Sequence, residues 1–182
     1  MQFLAISGSL RASSSNTSLL RAARMLAAPP LVIRLYEDLG ALPHFNPDVE
    51  GGDAPLPAPV ARLRRLCTDA DALILSCPEY ARGIPGSFKN ALDWLVGSPD
   101  FAGTPVAMFN TSTRAVHAQA ALKLTLETMS ADVIEGACIT VPLAGRTFTA
   151  DEIASDPAFG DRIGEALDVL RQAVRSPAEA SD

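Results

Sequence analysis

Five short apolar runs alternate with amphipathic stretches along this chain, and that alternation limits its fold more than any other feature. The runs cover residues 3–6, 31–35, 72–77, 104–110 and 133–141, and turn formers punctuate the intervals between them. The third is continuous between Asp71 and Pro78, as expected of a strand covered on both faces. Between runs the apolar residues recur at helical spacing: Leu19, Leu20, Ala23 and Leu26; Val60, Leu63, Leu66 and Cys67; then segments 88–96, 115–129 and 159–174. Strands alternating with helices predict a parallel α/β sheet with helices on both faces, because crossovers are right-handed. We predict five strands in the order 2-1-3-4-5. The 182 residues fit one domain, placed at 1–175, with a frayed tail at 176–182 that lacks an apolar anchor.

In such a sheet, ligands sit beyond the carboxyl ends of the strands where the order reverses, here between the first and third. Two loops therefore carry the functional reading. The first follows the opening strand as Ser7-Gly8-Ser9-Leu10-Arg11-Ala12-Ser13-Ser14-Ser15-Asn16-Thr17 and runs into an amphipathic helix. Free N–H groups at a helix N-terminus attract anions. Hydroxyls and Asn16 donate further hydrogen bonds, and Arg11 adds charge-assisted ones. The loop reads as a phosphate cradle, set against a plainer role for Ser13 to Asn16 as helix caps. No lysine follows Gly8, and neither glycine-rich nucleotide fingerprint is present. A loop that meets its anion with side chains suits a terminal phosphate monoester, such as that of flavin mononucleotide (FMN).

The second loop, residues 78–87, follows the buried run and holds two prolines and two glycines. Their irregular backbone leaves polar groups free for the edge of a flat heterocycle. Tyr80 would pack beside the ring or near the phosphate. Leu92 and Trp94 read as core. A long proline- and glycine-rich segment, residues 36–59, is predicted as a loop of functional length.

Composition excludes several classes. A net charge of −6 disfavours a nucleic-acid partner. Only two histidines, His44 and His117, make a histidine metal site or hydrolytic triad implausible. Cys67, Cys77 and Cys138 are scattered among apolar residues and read as buried free thiols. No secretory signal or membrane-length apolar run is present, so a cytoplasmic location is expected.

The chain resembles the NAD(P)H-dependent FMN reductase family, whose flavodoxin-like members include quinone, azo-compound and chromate reductases. The resemblance rests on G-S-L-R-x-x-S-x-N, met by Gly8, Ser9, Leu10, Arg11, Ser14 and Asn16, and on P-E-Y-x-x-x-x-P-G-x-x-K-N-A-x-D-W at 78–94. Residues 42–48 are also similar to the family's loop after the second strand. It implies a flavodoxin-like sandwich in which Ser9, Arg11, Ser14, Asn16 and Thr17 hold the FMN phosphate. Pro78, Glu79, Tyr80, Arg82, Gly83 and Ser112 would line the isoalloxazine. No side chain is required as a catalytic acid or base, and Glu79 reads as a carboxylate that structures the turn. The resemblance further implies NADPH or NADH as donor and a small acceptor such as a quinone, free flavin, azo compound or metal oxyanion. A homodimer or homotetramer would cover the flavin. Two departures stand out: Ala81 where the family often has asparagine, and Thr111 to His117 where it often has glycines. Two alternatives stay open, a flavodoxin-type electron carrier and a flavin-free interaction domain.

Overall fold

The computed structural model describes residues 1–52, 54–143 and 146–176; residues 177–182, the greater part of the predicted tail, lie outside the described residues. The strands are β1 (Gln2–Ser7), β2 (Val32–Tyr36), β3 (Ala72–Ser76), β4 (Pro105–Asn110), β5 (Asp132–Val133) and β6 (Ile139–Thr140). The helices are α1 (Ser15–Leu26), α2 (Pro47–Glu50), α3 (Ala58–Thr68), α4 (Gly86–Val96), α5 (Val116–Thr128), α6 (Ala150–Ser155) and α7 (Pro157–Arg175). Among the described residues the strands pair in parallel and run β2-β1-β3-β4-β5, with β6 also on β4. The flavodoxin-like order is therefore present.

The fifth strand departs from expectation. The run at 133–141 is not one strand but β5 and β6, separated by a 3₁₀ turn at Glu135–Ala137. Ile134 donates to Val106 and Val141 to Asn110, so the chain returns to β4 after the detour. The last helical segment also begins earlier than predicted. Thr149 and Glu152 form a reciprocal capping box at the start of α6, and Asp156 with Pro157 starts α7.

Two apolar layers sandwich the sheet. On one face Leu19, Leu20 and Ala23 of α1 and Ile163, Leu167 and Leu170 of α7 cover Phe3, Ala5, Ile74 and Phe109. On the other, α3, α4 and α5 cover Leu4, Ile6, Leu73 and Leu75. All five residues of β3 are buried, as its continuous apolar run requires.

The segment after β2 is not a free loop. Its stretch 43–50 is fastened to α4 and α3. Pro43 carbonyl accepts from Trp94 Nε1 at 2.8 Å and from Asn90 Nδ2 at 2.9 Å, while Asn90 Oδ1 accepts from the Phe45 amide at 2.7 Å. Phe45 meets the Trp94 ring edge-on, with centroids 5.1 Å apart. Arg64 joins the Glu50 carboxylate to the Trp94 carbonyl, which accepts from its Nε at 2.9 Å. The K-N-A-x-D-W motif thus anchors a loop, and Trp94 does more than fill the core.

Candidate functional site

Three loops leave the carboxyl ends of β1, β3 and β4 side by side, because those strands are neighbours in the sheet. The first loop is seated by Gly8. Its amide donates to Ser76 carbonyl at 2.8 Å, and a Cβ at this position would lie 2.9 Å from the Phe88 ring. Only glycine allows that approach. Ser7 Oγ accepts from the Ser9 amide at 3.3 Å and from Thr17 Oγ1 at 2.9 Å; Ser9 Oγ accepts from the Arg11 amide at 3.3 Å. Ser14 is the N-cap of α1, accepting from the Thr17 amide at 3.3 Å. The amides of Ser15 and Asn16, at the start of α1, have no intrahelical acceptor. They stand at the positive end of the helix dipole.

The second loop turns sharply. Tyr80 and Gly83 exchange backbone hydrogen bonds at 3.1 and 3.0 Å around Ala81 (φ 49°) and Arg82 (φ 59°). Two consecutive non-glycine residues in the left-handed region cost roughly 1–2 kcal/mol each. Asparagine tolerates this conformation better than the alanine that stands at position 81. Tyr80 is half exposed at the rim. Glu79 points back into the protein: Oε2 accepts from the amides of His117 at 2.8 Å and Ala118 at 2.9 Å. It caps α5 as a turn-structuring carboxylate and joins the second loop to the third.

The third loop is shaped by Asn110, whose Oδ1 accepts from the Ser112 amide at 3.1 Å and whose Nδ2 donates to Ser112 carbonyl at 2.7 Å. Ser112 Oγ accepts from the Arg114 amide at 3.2 Å. Asn16, largely buried, crosses under all three loops. Its Oδ1 accepts from Ser76 Oγ at 2.9 Å, with Thr111 Oγ1 at 3.5 Å.

The loops frame two adjoining clefts. One, of about 270 Å³, is lined by Asn16, Pro78, Glu79, Thr111, Ser112 and Arg114. The other, of about 290 Å³, is lined by Arg11, Ser13, Ser15, Thr111 and Ser112, with Arg146 beyond. Among the predicted residues, Asn16, Pro78, Glu79 and Ser112 thus meet in one cleft, and Arg11 joins Ser112 in the next. Ser9, Arg11 and Thr17 share a third cavity, on the β2 side of the first loop. Ser14, Tyr80, Arg82 and Gly83 line none of the three: Ser14 is a buried cap, and the others form the rim hairpin. Sequence reasoning missed Ser76 and Asn110. Each is the polar last residue of an apolar strand, and that was the available signal.

Two buried thiols, Cys77 just before the second loop and Cys67 in the last turn of α3, are held in the protonated form. Burial, and secondarily the Glu79 charge, pushes Cys77 from its ordinary 9.0 up to about 12; burial alone does the same to Cys67. Cys138 is only half-buried, contrary to expectation, and its sulfur accepts from the Met108 amide at 3.3 Å. Unfolded thiols ionise near pH 9 while these two folded ones keep their protons. Between pH 9 and 12 the folded state binds more protons, so its stability falls as pH rises, by about 1.4 kcal/mol per pH unit for each thiol. Denaturant melts at pH 8, 9.5 and 10.5, with Cys77→Ala and Cys67→Ala reducing the slope, measure this.

Comparison with known proteins agrees with this architecture. The family model for NADPH-dependent FMN reductase matches residues 1–145. An NAD(P)H-dependent FMN reductase of Pseudomonas aeruginosa is 32% identical over 180 residues, covering 96% of each chain. A quinone reductase of Escherichia coli is 32% identical over 62% of this chain and 60% of its own. Among solved structures, the flavoenzyme NAD(P)H:(acceptor) oxidoreductase FerB of Paracoccus denitrificans superimposes with a TM-score of 0.76 at 30% identity, covering 96% of this chain and 97% of that one. On this likeness in sequence and fold, the chain belongs to the NADPH-dependent FMN reductase family.

Proposed function

We propose that this protein is an FMN-dependent NAD(P)H oxidoreductase, with residues 1–175 as one flavin-binding domain. The observation that carries the reading is the convergence of three loops on two adjoining clefts, one bordered by Arg11 and Ser15, the other by Pro78 and Ser112. That donor set fits the two ends of FMN. Arg11, which makes no ion pair among the described residues, and the free amides at the start of α1 supply what a phosphate monoester needs. Ser9, Ser14 and Thr17 keep that loop in shape through their hydroxyls. Asn16 has its carbonyl oxygen engaged, so its amide nitrogen is the group left for a ligand.

At the ring end, Pro78 and Glu79 offer backbone groups and Ser112 offers its hydroxyl as a donor, its amide and carbonyl being taken by Asn110, while Tyr80, Arg82 and Gly83 form a rim. Glu79, already bonded to α5, positions this loop rather than moving a proton. Held by Arg11, the first amides of α1, Pro78 and Ser112, FMN would supply the redox chemistry that links a nicotinamide donor to an acceptor. The protein orients the partners and places dipoles about the ring. A quinone is the favoured acceptor class, because several relatives are named quinone reductases. The exposed stretch 44–48 and α4 form one continuous surface, which suits a homodimer or homotetramer. No described helix is long and apolar enough to cross a membrane, in keeping with a cytoplasmic enzyme.

An absorbance spectrum of the purified protein, before and after NADPH under nitrogen, tests the reading; a yellow protein that bleaches is expected. Arg11→Ala should weaken FMN binding about tenfold or more, the loss of one charge-assisted hydrogen bond. Unchanged FMN affinity by fluorescence titration would remove Arg11 from the phosphate site.

A further inference from the structure

The third cavity, of about 200 Å³, lies on the β2 side of the first loop, away from the clefts assigned to the flavin. Its walls come from α1, the loop and the carboxyl end of β2. Arg11, Arg21 and Glu37 border it, and none of them is in an ion pair among the described residues. The neighbouring Asp38, by contrast, pairs with Arg62 at 2.8 Å. Opposite charges that border one cavity without neutralising each other leave an anion site and a carboxylate acceptor both open. Thr17 and Arg21 lie one turn apart on the same face of α1. Leu10, 60% exposed, and Leu39 give the cavity an apolar side.

We propose that this cavity receives the adenosine diphosphate half of the nicotinamide donor, a reading that rests on the reductase function above. Arg21 meets the pyrophosphate, with Arg11 adding charge from the boundary between cavity and cleft. Glu37 accepts hydrogen bonds from the ribose hydroxyls, and Leu10 and Leu39 bear the purine. In dinucleotide-binding sheets of the order 3-2-1-4-5-6 an acidic residue about 20 residues after the glycine-rich turn takes the ribose hydroxyls; Glu37, just past β2, stands at a comparable place here although that turn is absent. It can fill that role only where the 2′-hydroxyl is free, because a 2′-phosphate would face a like charge. The cavity therefore favours the unphosphorylated donor, NADH.

Calorimetric titration of the flavin-loaded protein with ADP and with 2′,5′-ADP tests this directly. ADP is expected to bind, and about tenfold more tightly than 2′,5′-ADP. Arg21→Ala should weaken ADP by about tenfold while the flavin spectrum stays in place, and Glu37→Gln should narrow the gap between the two nucleotides. ADP binding unaltered in Arg21→Ala, tighter binding of 2′,5′-ADP by the wild type, or displacement of FMN by ADP would each overturn the assignment. A protein that takes up no FMN contradicts the reductase reading instead, since nucleotide titration of the colourless protein still reports on the cavity.

Discussion

Replacing Trp94 by alanine is expected to lower the unfolding free energy by about 3–5 kcal/mol, a large share of what a domain of this size possesses. The indole is fully buried. Its loss opens a cavity against Phe45 and removes one of two donors to Pro43 carbonyl. Trp94→Phe separates the contributions. It keeps most of the packing, and Asn90 still serves the carbonyl, so about 1–2 kcal/mol is expected. Urea titrations should show the midpoint falling in that order at constant m-value. Equal midpoints for Trp94→Ala and wild type would show that the 43–50 segment is not held as described.

Glu79→Ala is expected to cost about 2 kcal/mol, because one carboxylate serves two amides at the start of α5. The amides it abandons lie beside the cleft, so the third loop should loosen as well. Glu79→Gln retains an acceptor oxygen but not the charge that favours a helix N-terminus, and should recover about half the loss. Thermal melts of the three proteins, with FMN affinity and NADPH turnover measured alongside, distinguish a positioning role from a catalytic one. A catalytic acid would show lost turnover at unchanged stability.

Most of the layered order was legible because the physics is local. Short apolar runs, helical spacing and right-handed crossovers lead to the order 2-1-3-4-5 with little freedom. Where legibility failed, the signal was either ambiguous or non-local. The run 133–141 is apolar almost throughout, and periodicity cannot show that Glu135–Ala137 turns out of the sheet before β6 returns. Thr149-Ala150-Asp151-Glu152 carries the spacing of a capping box, a local signal that the expectation of a single last helix at 159–174 passed over. In the site, loop positions followed from topology, but side-chain directions did not. Asn16 spends its carbonyl on Ser76, 60 residues away in sequence, and Glu79 spends its carboxylate on α5. The fastening of residues 43–50 by Asn90 and Trp94 was equally invisible, since it joins a proline-rich segment to a helix about 50 residues later.

The contact of Gly8 with Phe88 has a kinetic corollary. A turn that rests on an immobile ring and is stitched to the central strand has nowhere to retreat when its guest departs. A loop fixed in this way is expected to hold one shape with or without a bound anion, so mixing the protein with FMN in a stopped-flow spectrometer should show a single binding phase, and a second, concentration-independent phase would show that the loop rearranges.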